Sequence, residues 1–125
     1  MSALKTILLA EDEDLFRSML ADLLRFDEYN VLEASNGHEA VTAADSHSGP
    51  IDLIITDINL HGMTGLELAE QLVQKHSGMG IIYMSGDTLS GAIGHAKVQP
   101  GAAFLQKPFD STALLDKVRE VLAIA

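Results

Sequence analysis

Apolar residues recur along the chain in two alternating rhythms. Short unbroken runs of strand length give way to longer stretches in which apolar positions return every three or four residues. The first run is Ile7-Leu8-Leu9-Ala10. A helix over 15–26 follows, with Leu15, Phe16, Met19, Leu20, Leu23 and Leu24 on its apolar side. A short strand over 29–32, a turn at Asn36-Gly37 and a helix over 38–46 come next. Strand 51–56 leads through a glycine-containing loop into helix 66–76, where Leu66, Ala69, Leu72 and Val73 share a face. Strands 81–84 and 102–105 and a last helix over 111–124, with Leu114, Leu115, Val118, Val121 and Leu122 apolar, complete the pattern. Segment 88–98 occupies the place of one more helix but contains Gly91 and Gly94. Each glycine costs about 1 kcal/mol against alanine in a helix interior, and Pro100 sets the end of the segment.

Strands that are apolar throughout belong to a sheet covered on both faces, and crossovers of this length make neighbouring strands parallel. With right-handed crossovers, the pattern predicts an α/β domain built on a doubly wound five-stranded parallel sheet. It runs through all 125 residues as a single domain, 1–125, with no linker and no output domain. In such sheets the chemistry collects beyond the C-terminal strand ends.

Charge removes several function classes. Eight Lys and Arg against 18 Asp and Glu leave a formal net charge of −10. Phosphate contacts dominate nucleic-acid affinity, so direct DNA or RNA binding is excluded from the expectation, and so is an anionic membrane surface. The longest run free of Asp, Glu, Lys and Arg outside histidine, 77–86, is too short and glycine-broken for a membrane span. Met1-Ser-Ala-Leu-Lys5 lacks the apolar core of a signal peptide. There is no cysteine, which removes disulfides, thiolate zinc sites and thiol nucleophiles. A soluble cytoplasmic domain is the expected setting.

The strand ends carry the candidate chemistry. The first strand runs into Glu11-Asp12-Glu13-Asp14, the third into Asp57, the fourth into Ser85-Gly86-Asp87 and the fifth into Gln106-Lys107-Pro108. Each has an ordinary explanation by itself: acids favour a helix N-terminus, and an aspartate or a Ser-Gly pair suits a turn. Their arrival at one sheet edge is what matters. Carboxylates crowded there repel unless a cation sits among them, and an all-oxygen set suits Mg²⁺. Asp57 could then serve as ligand and as nucleophile, with Ser85 and Lys107 donating to phosphoryl oxygens as charge develops.

Taken in order, Ile7-Leu-Leu-Ala-Glu-Asp-Glu13, Asp52-Leu-Ile-Ile-Thr-Asp57, Gly62-Met-Thr-Gly65, Tyr83-Met-Ser-Gly86 and Gly101-Ala-Ala-Phe-Leu-Gln-Lys-Pro108 resemble a bacterial response-regulator receiver domain, over nearly the whole chain. The resemblance implies the flavodoxin-like strand order 2-1-3-4-5 with five helices. It implies that Asp57 is the phosphoacceptor, and that Mg²⁺ is held by Asp12, Asp57, the Asn59 backbone carbonyl and, often through water, Glu11. Ser85 takes the place of the hydroxyl that senses the phosphoryl group, Lys107 that of its cationic clamp, and Phe104 that of the switch aromatic. A cis Lys107-Pro108 bond is implied as well. The partners implied are a histidine kinase or histidine phosphotransfer protein and an unidentified downstream protein target. The chain itself is expected as a monomer or a weak phosphorylation-dependent dimer. It acts as a signalling switch with slow autodephosphorylation, not as a turnover enzyme.

Two departures stand out. Glu11 stands where the family often has aspartate, and Leu60-His61 where it often has Met-Pro. His61 is read as a solvated loop residue, since imidazole suits Mg²⁺ poorly. A phosphatase of the haloacid dehalogenase-like type shares the nucleophilic Asp, Mg²⁺, Ser and Lys, but Asn59 stands where its general acid belongs. A phosphorylation-independent interaction module on the same fold is the alternative reading. Two surfaces complete the expectation. The apolar arc of helix 15–26 spans about 180°, wider than the roughly 100° needed to face a core, so Leu15 and Met19, with Phe16 beside them, form an exposed edge for the partner. Segment 88–98 is expected to change its protection on phosphorylation, coupled through Ser85 and Phe104.

Overall fold

The computed structural model describes residues 4–86 and 101–124. The expected helix at 88–98, and with it the coupling of that segment to the switch, lies outside the described residues. The elements are β1 (Thr6–Ala10), α1 (Asp14–Phe26), β2 (Asn30–Ala34), α2 (Gly37–Ser46), β3 (Leu53–Asp57), α3 (Gly65–Lys75), β4 (Gly80–Ser85), β5 (Ala103–Gln106) and α4 (Ser111–Ile124). The sheet is five-stranded in the order β2-β1-β3-β4-β5, and every neighbouring pair is parallel.

Side-chain alternation splits the core into two halves. Ile7, Leu9, Leu53, Ile55, Ile82 and Met84 face α1 and α4, meeting Leu20, Leu24, Leu114 and Val118. Leu8, Ala10, Ile54, Ile81 and Tyr83 face α2 and α3, meeting Ala40, Ala44, Leu68 and Leu72. This is why the central strands read as unbroken apolar runs: both pleat directions are covered. Every residue of β1 and β3 is buried.

β2 departs from that rule. It is an edge strand that is only partly covered: Val31 and Ala34 are buried, Leu32 is half-buried, and Asn30 and Glu33 are exposed. Glu33 there pairs with Arg17 at 3.4 Å and Arg25 at 3.1 Å, both from α1. The strand starts and ends later than the apolar signal suggests because its pairing, from Thr6 with Asn30 to Ala10 with Ala34, follows β1.

Helix starts are set by local capping. Asn36 accepts a hydrogen bond from the Glu39 amide at 2.8 Å, so α2 begins at Gly37, where a turn was expected. Thr64 and Glu67 form a reciprocal capping box, which starts α3 at Gly65. Among the described residues no helix is long and apolar enough to cross a membrane.

One polar atom sits uncompensated in this core. Tyr83 is fully buried, and its hydroxyl is the one buried side-chain polar atom among the described residues with no hydrogen-bond partner. Burial pushes this hydroxyl's pKa up to about 12. An unmet buried donor costs about 1–3 kcal/mol in desolvation. Tyr83→Phe, which removes the oxygen and keeps the ring, should therefore stabilise the protein by about 1 kcal/mol. A urea titration checks this: the midpoint should rise with an unchanged slope.

Candidate functional site

The sheet delivers four of the predicted residues to one place. Glu11 follows β1, Asp57 ends β3, Ser85 ends β4 and Lys107 follows β5. Asp57 and Ser85 belong to their strands because pairing continues past the apolar run, Asp57 opposite Met84 and Ser85 opposite Gln106. The Lys107 amide donates to the Ser85 carbonyl at 2.7 Å, which fixes the backbone from which the lysine reaches inward. The Lys107–Pro108 peptide bond is cis.

Lys107 Nζ lies 2.7 Å from Asp57 Oδ1 and 3.0 Å from Glu11 Oε1. Both carboxylates are buried. The second oxygen of Glu11 accepts from the Glu13 amide at 2.9 Å, and Arg17 Nη1 donates to the Glu11 carbonyl at 2.9 Å. Arg17 also meets Asp14 at 2.9 Å, so the first turn of α1 is tied to the end of β1. A cavity of about 180 Å³ opens beside these groups, lined by Asp12, Asp57, Ile58, Asn59, Met84, Ser85, Gly86 and Lys107.

One ammonium shared by two buried carboxylates cannot neutralise both. Burial pushes Asp57 up, its hydrogen bond with Glu11 adds to the rise, and Lys107 opposes it; the carboxyl is raised to about 7. Burial also acts upward on Glu11, but the hydrogen bonds with Asp57, the Glu13 amide and Lys107 outweigh it, and Glu11 is lowered. The site therefore asks for more positive charge than Lys107 supplies.

Carboxylate oxygens of Glu11, Asp12 and Asp57 lie within 4.8 Å of one another. This hard, all-oxygen donor set of three acids against one lysine fits a divalent cation such as Mg²⁺. Asn59 is exposed on the loop after β3 and forms an isolated antiparallel bridge with Thr64, which folds that loop back beside the cavity. His61 is exposed, as expected.

Three residues near the site do more than the sequence reading gave them. Gly65 opens α3 where a Cβ would overlap the Asp57 carbonyl, and its amide donates to the Ile58 carbonyl at 2.6 Å. Gly65 was visible only as part of a motif; the close approach that requires glycine was not. Arg17 carried no signal in the sequence, and its role at the Glu11 carbonyl is seen only in the structure. Phe16 was placed beside the exposed edge but turns inward, half-buried, with its ring centroid 4.8 Å from Lys107 Nζ and 5.9 Å from the Phe109 ring. Leu15 and Met19 do form the open edge, at 83% and 52% exposure. Phe104 is half-buried in β5, its ring 5.6 Å from that of Tyr83.

Comparison with known proteins bears on the family and the fold. Residues 7–119 match the family described as the response regulator receiver domain. The receiver domain of the hybrid histidine kinase CckA superposes with a TM-score of 0.79 at 35% identity, over 94% of this chain and 98% of that one. Sensor kinase CckA of Brucella abortus (strain 2308) is 30% identical over 122 residues, 98% of this chain but 13% of its own length. Transcriptional regulatory protein PdtaR of Mycobacterium tuberculosis (strain ATCC 25618 / H37Rv) is 30% identical over 115 residues, 91% of this chain and 55% of its own. The chain thus spans about half or less of these relatives.

The raised Asp57 carboxyl makes a pH dependence testable. Its native pKa of about 7 lies above the ordinary 3.8, so between those values the native state binds more protons than the unfolded state. Stability from this group is full below the ordinary value and is lost as pH rises through about 7. Glu11, lowered, contributes in the opposite sense, and that contribution is lost only in acid. Metal-free protein should therefore lose stability from pH 5 to pH 8 relative to Asp57→Asn, whose profile should be flatter. Urea midpoints of both proteins across that range measure the difference.

Proposed function

The chain belongs to the response-regulator receiver family, and from that premise we propose that it accepts a phosphoryl group from a phosphohistidine onto Asp57 and changes conformation in response. The observation that carries this reading is the bridging of Asp57 and Glu11 by Lys107 at the mouth of a polar cavity that Asp12 and Ser85 also line. Glu11, Asp12, Asp57 and the Asn59 backbone carbonyl are the groups that would hold Mg²⁺. When bound, the ion would offset the negative charge of the acids and of the incoming phosphoryl oxygens.

The chain's own residues supply the rest. Asp57 must be ionised to act, and Lys107 favours that state at 2.7 Å. A carboxylate oxygen of Asp57 forms the new O–P bond. The P–N bond to the donor imidazole breaks with its electron pair going to nitrogen, which then takes a proton from solvent. Lys107 and the Ser85 hydroxyl donate to the phosphoryl oxygens, where charge-assisted hydrogen bonds are strongest. Slow hydrolysis of the aspartyl phosphate would reset the switch. Ser85 and Phe104 stand on the adjacent strands β4 and β5, so a shift at Ser85 has a short path to the aromatic ring. The donor would be a histidine kinase or a histidine phosphotransfer protein and the receiver of the signal a further protein. The open edge at Leu15 and Met19 is the surface for the donor.

The central test is direct. With Mg²⁺ and a small phosphodonor, the intact protein should gain one phosphoryl group by mass spectrometry, and Asp57→Asn should gain none. Beryllofluoride with Mg²⁺ should shift NMR signals around Asp57. A wild type that takes up neither would mark a phosphorylation-independent interaction module instead.

Met19→Ala separates docking from folding. At 52% exposure its truncation should cost under about 0.5 kcal/mol of stability. Transfer from a cognate phosphohistidine protein should slow by about fivefold or more, as for an interface residue worth about 1 kcal/mol. The rate with a small phosphodonor should be unchanged.

A further inference from the structure

Lys107 has two places to go. Its ammonium lies in the acid cavity, between Asp57 and Glu11. A second, more open cleft of about 440 Å³ adjoins that cavity, sharing Lys107 and Gly86 as walls. Glu13 lines the cleft, together with Phe16, Pro108 and Phe109. A lysine on a flexible four-carbon stem, part-exposed at 27%, can swing between two such sites, and Glu13 offers a carboxylate in the second.

Phe16 lines the cleft and turns its ring to the lysine. Its ring centroid is 4.8 Å from Lys107 Nζ, within the range of a cation–π contact. The ring is itself braced by Phe109, at 5.9 Å between centroids and 58° between planes. Phe16 belongs to α1 and Phe109 follows the Lys107-Pro108 turn, so the pair joins the acidic run to the strand end that carries the lysine.

We infer that Phe16 is a positioning residue for Lys107: its ring face steadies the ammonium in the place where it bridges Asp57 and Glu11. The inference rests on the phosphoacceptor reading of Asp57 and adds to it the residue that fixes where the cationic clamp waits. Phe16 touches neither Asp57 nor the proposed metal ligands' oxygens through any hydrogen bond; it acts through Lys107.

The test compares Phe16→Leu, which keeps apolar bulk without a π face, with Phe16→Tyr, which keeps both. Beryllofluoride is titrated into the full chain with saturating Mg²⁺ and read by NMR. Phe16→Leu should bind it about two- to fivefold more weakly, the range an exposed to partly buried cation–π contact supports. Phe16→Tyr should restore wild-type affinity. The Lys107 ε-methylene protons, shifted upfield by the ring in the wild type and in Phe16→Tyr, should return to ordinary lysine values in Phe16→Leu. Equal affinities in the two variants, whether both normal or both impaired, would overturn the inference, because the aromatic face would then not matter. So would ordinary ε-methylene shifts in the wild type. Failure of the wild type to bind beryllofluoride would instead count against the phosphoacceptor reading, and the ε-methylene comparison would still decide whether Phe16 holds the lysine.

Discussion

Two buried carboxylates at the end of a parallel sheet share a single ammonium, and much of this molecule is arranged around that imbalance. Glu11 and Asp57 sit where β1 and β3 emerge from a fully apolar layer, so neither can be solvated in the ordinary way. Lys107 reaches both, Glu11 takes the Glu13 amide as well, and Asp57 is left near neutrality in proton affinity. A site in that condition has a deficit of positive charge, which a divalent cation among three acids would meet. Under the proposed function, the same deficit would make the arrival of a phosphoryl group a large local event, because it would add charge where charge is already short of partners.

The supporting structure works at the level of backbone as much as side chain. Gly65 allows α3 to begin against the Asp57 carbonyl, and the Ile58 and Lys107 amides donate to the ends of β4. Arg17 ties α1 to the Glu11 carbonyl. These bonds run across strands and helices that are far apart in sequence, so the site is held by the fold as a whole. Its precision comes from the parallel register: moving one strand by a residue would exchange its core face and withdraw its terminal polar group together.

Much of this was legible in the sequence, for reasons that differ by element. β1, β3 and β4 announce themselves because both pleat directions are buried, leaving mostly apolar residues, Thr56 among the exceptions, ahead of the functional residue. The change to polar residues hid the true strand ends: Asp57, Ser85 and Gln106 look like loop residues because polarity, not pairing, is what a sequence displays. α2 and α3 begin earlier than the apolar periodicity because their caps, Asn36 and Thr64, act through hydrogen bonds and not through hydrophobic pattern. The contact of Lys107 with Glu11 spans 96 positions, and no local rule reaches so far; the strand-end pattern brought both to one sheet edge without pairing them. The inward turn of Phe16 was out of reach altogether, since residues on the margin of an apolar arc can lean either way and only the packing of Phe109 decides.

The outer strand carries a consequence of a different kind. A parallel sheet of five strands ends at β2, the sort of edge onto which a foreign strand can add, and the Val31 carbonyl of that strand accepts from Arg25 at 3.0 Å. Here Glu33 points outward from that strand and is gripped by Arg17 and Arg25, which lay charged side chains along the border. An incoming strand would have to break these pairs and bury the charges. The ion pairs are exposed and add little to folding stability, yet they guard the open edge of the sheet against self-association.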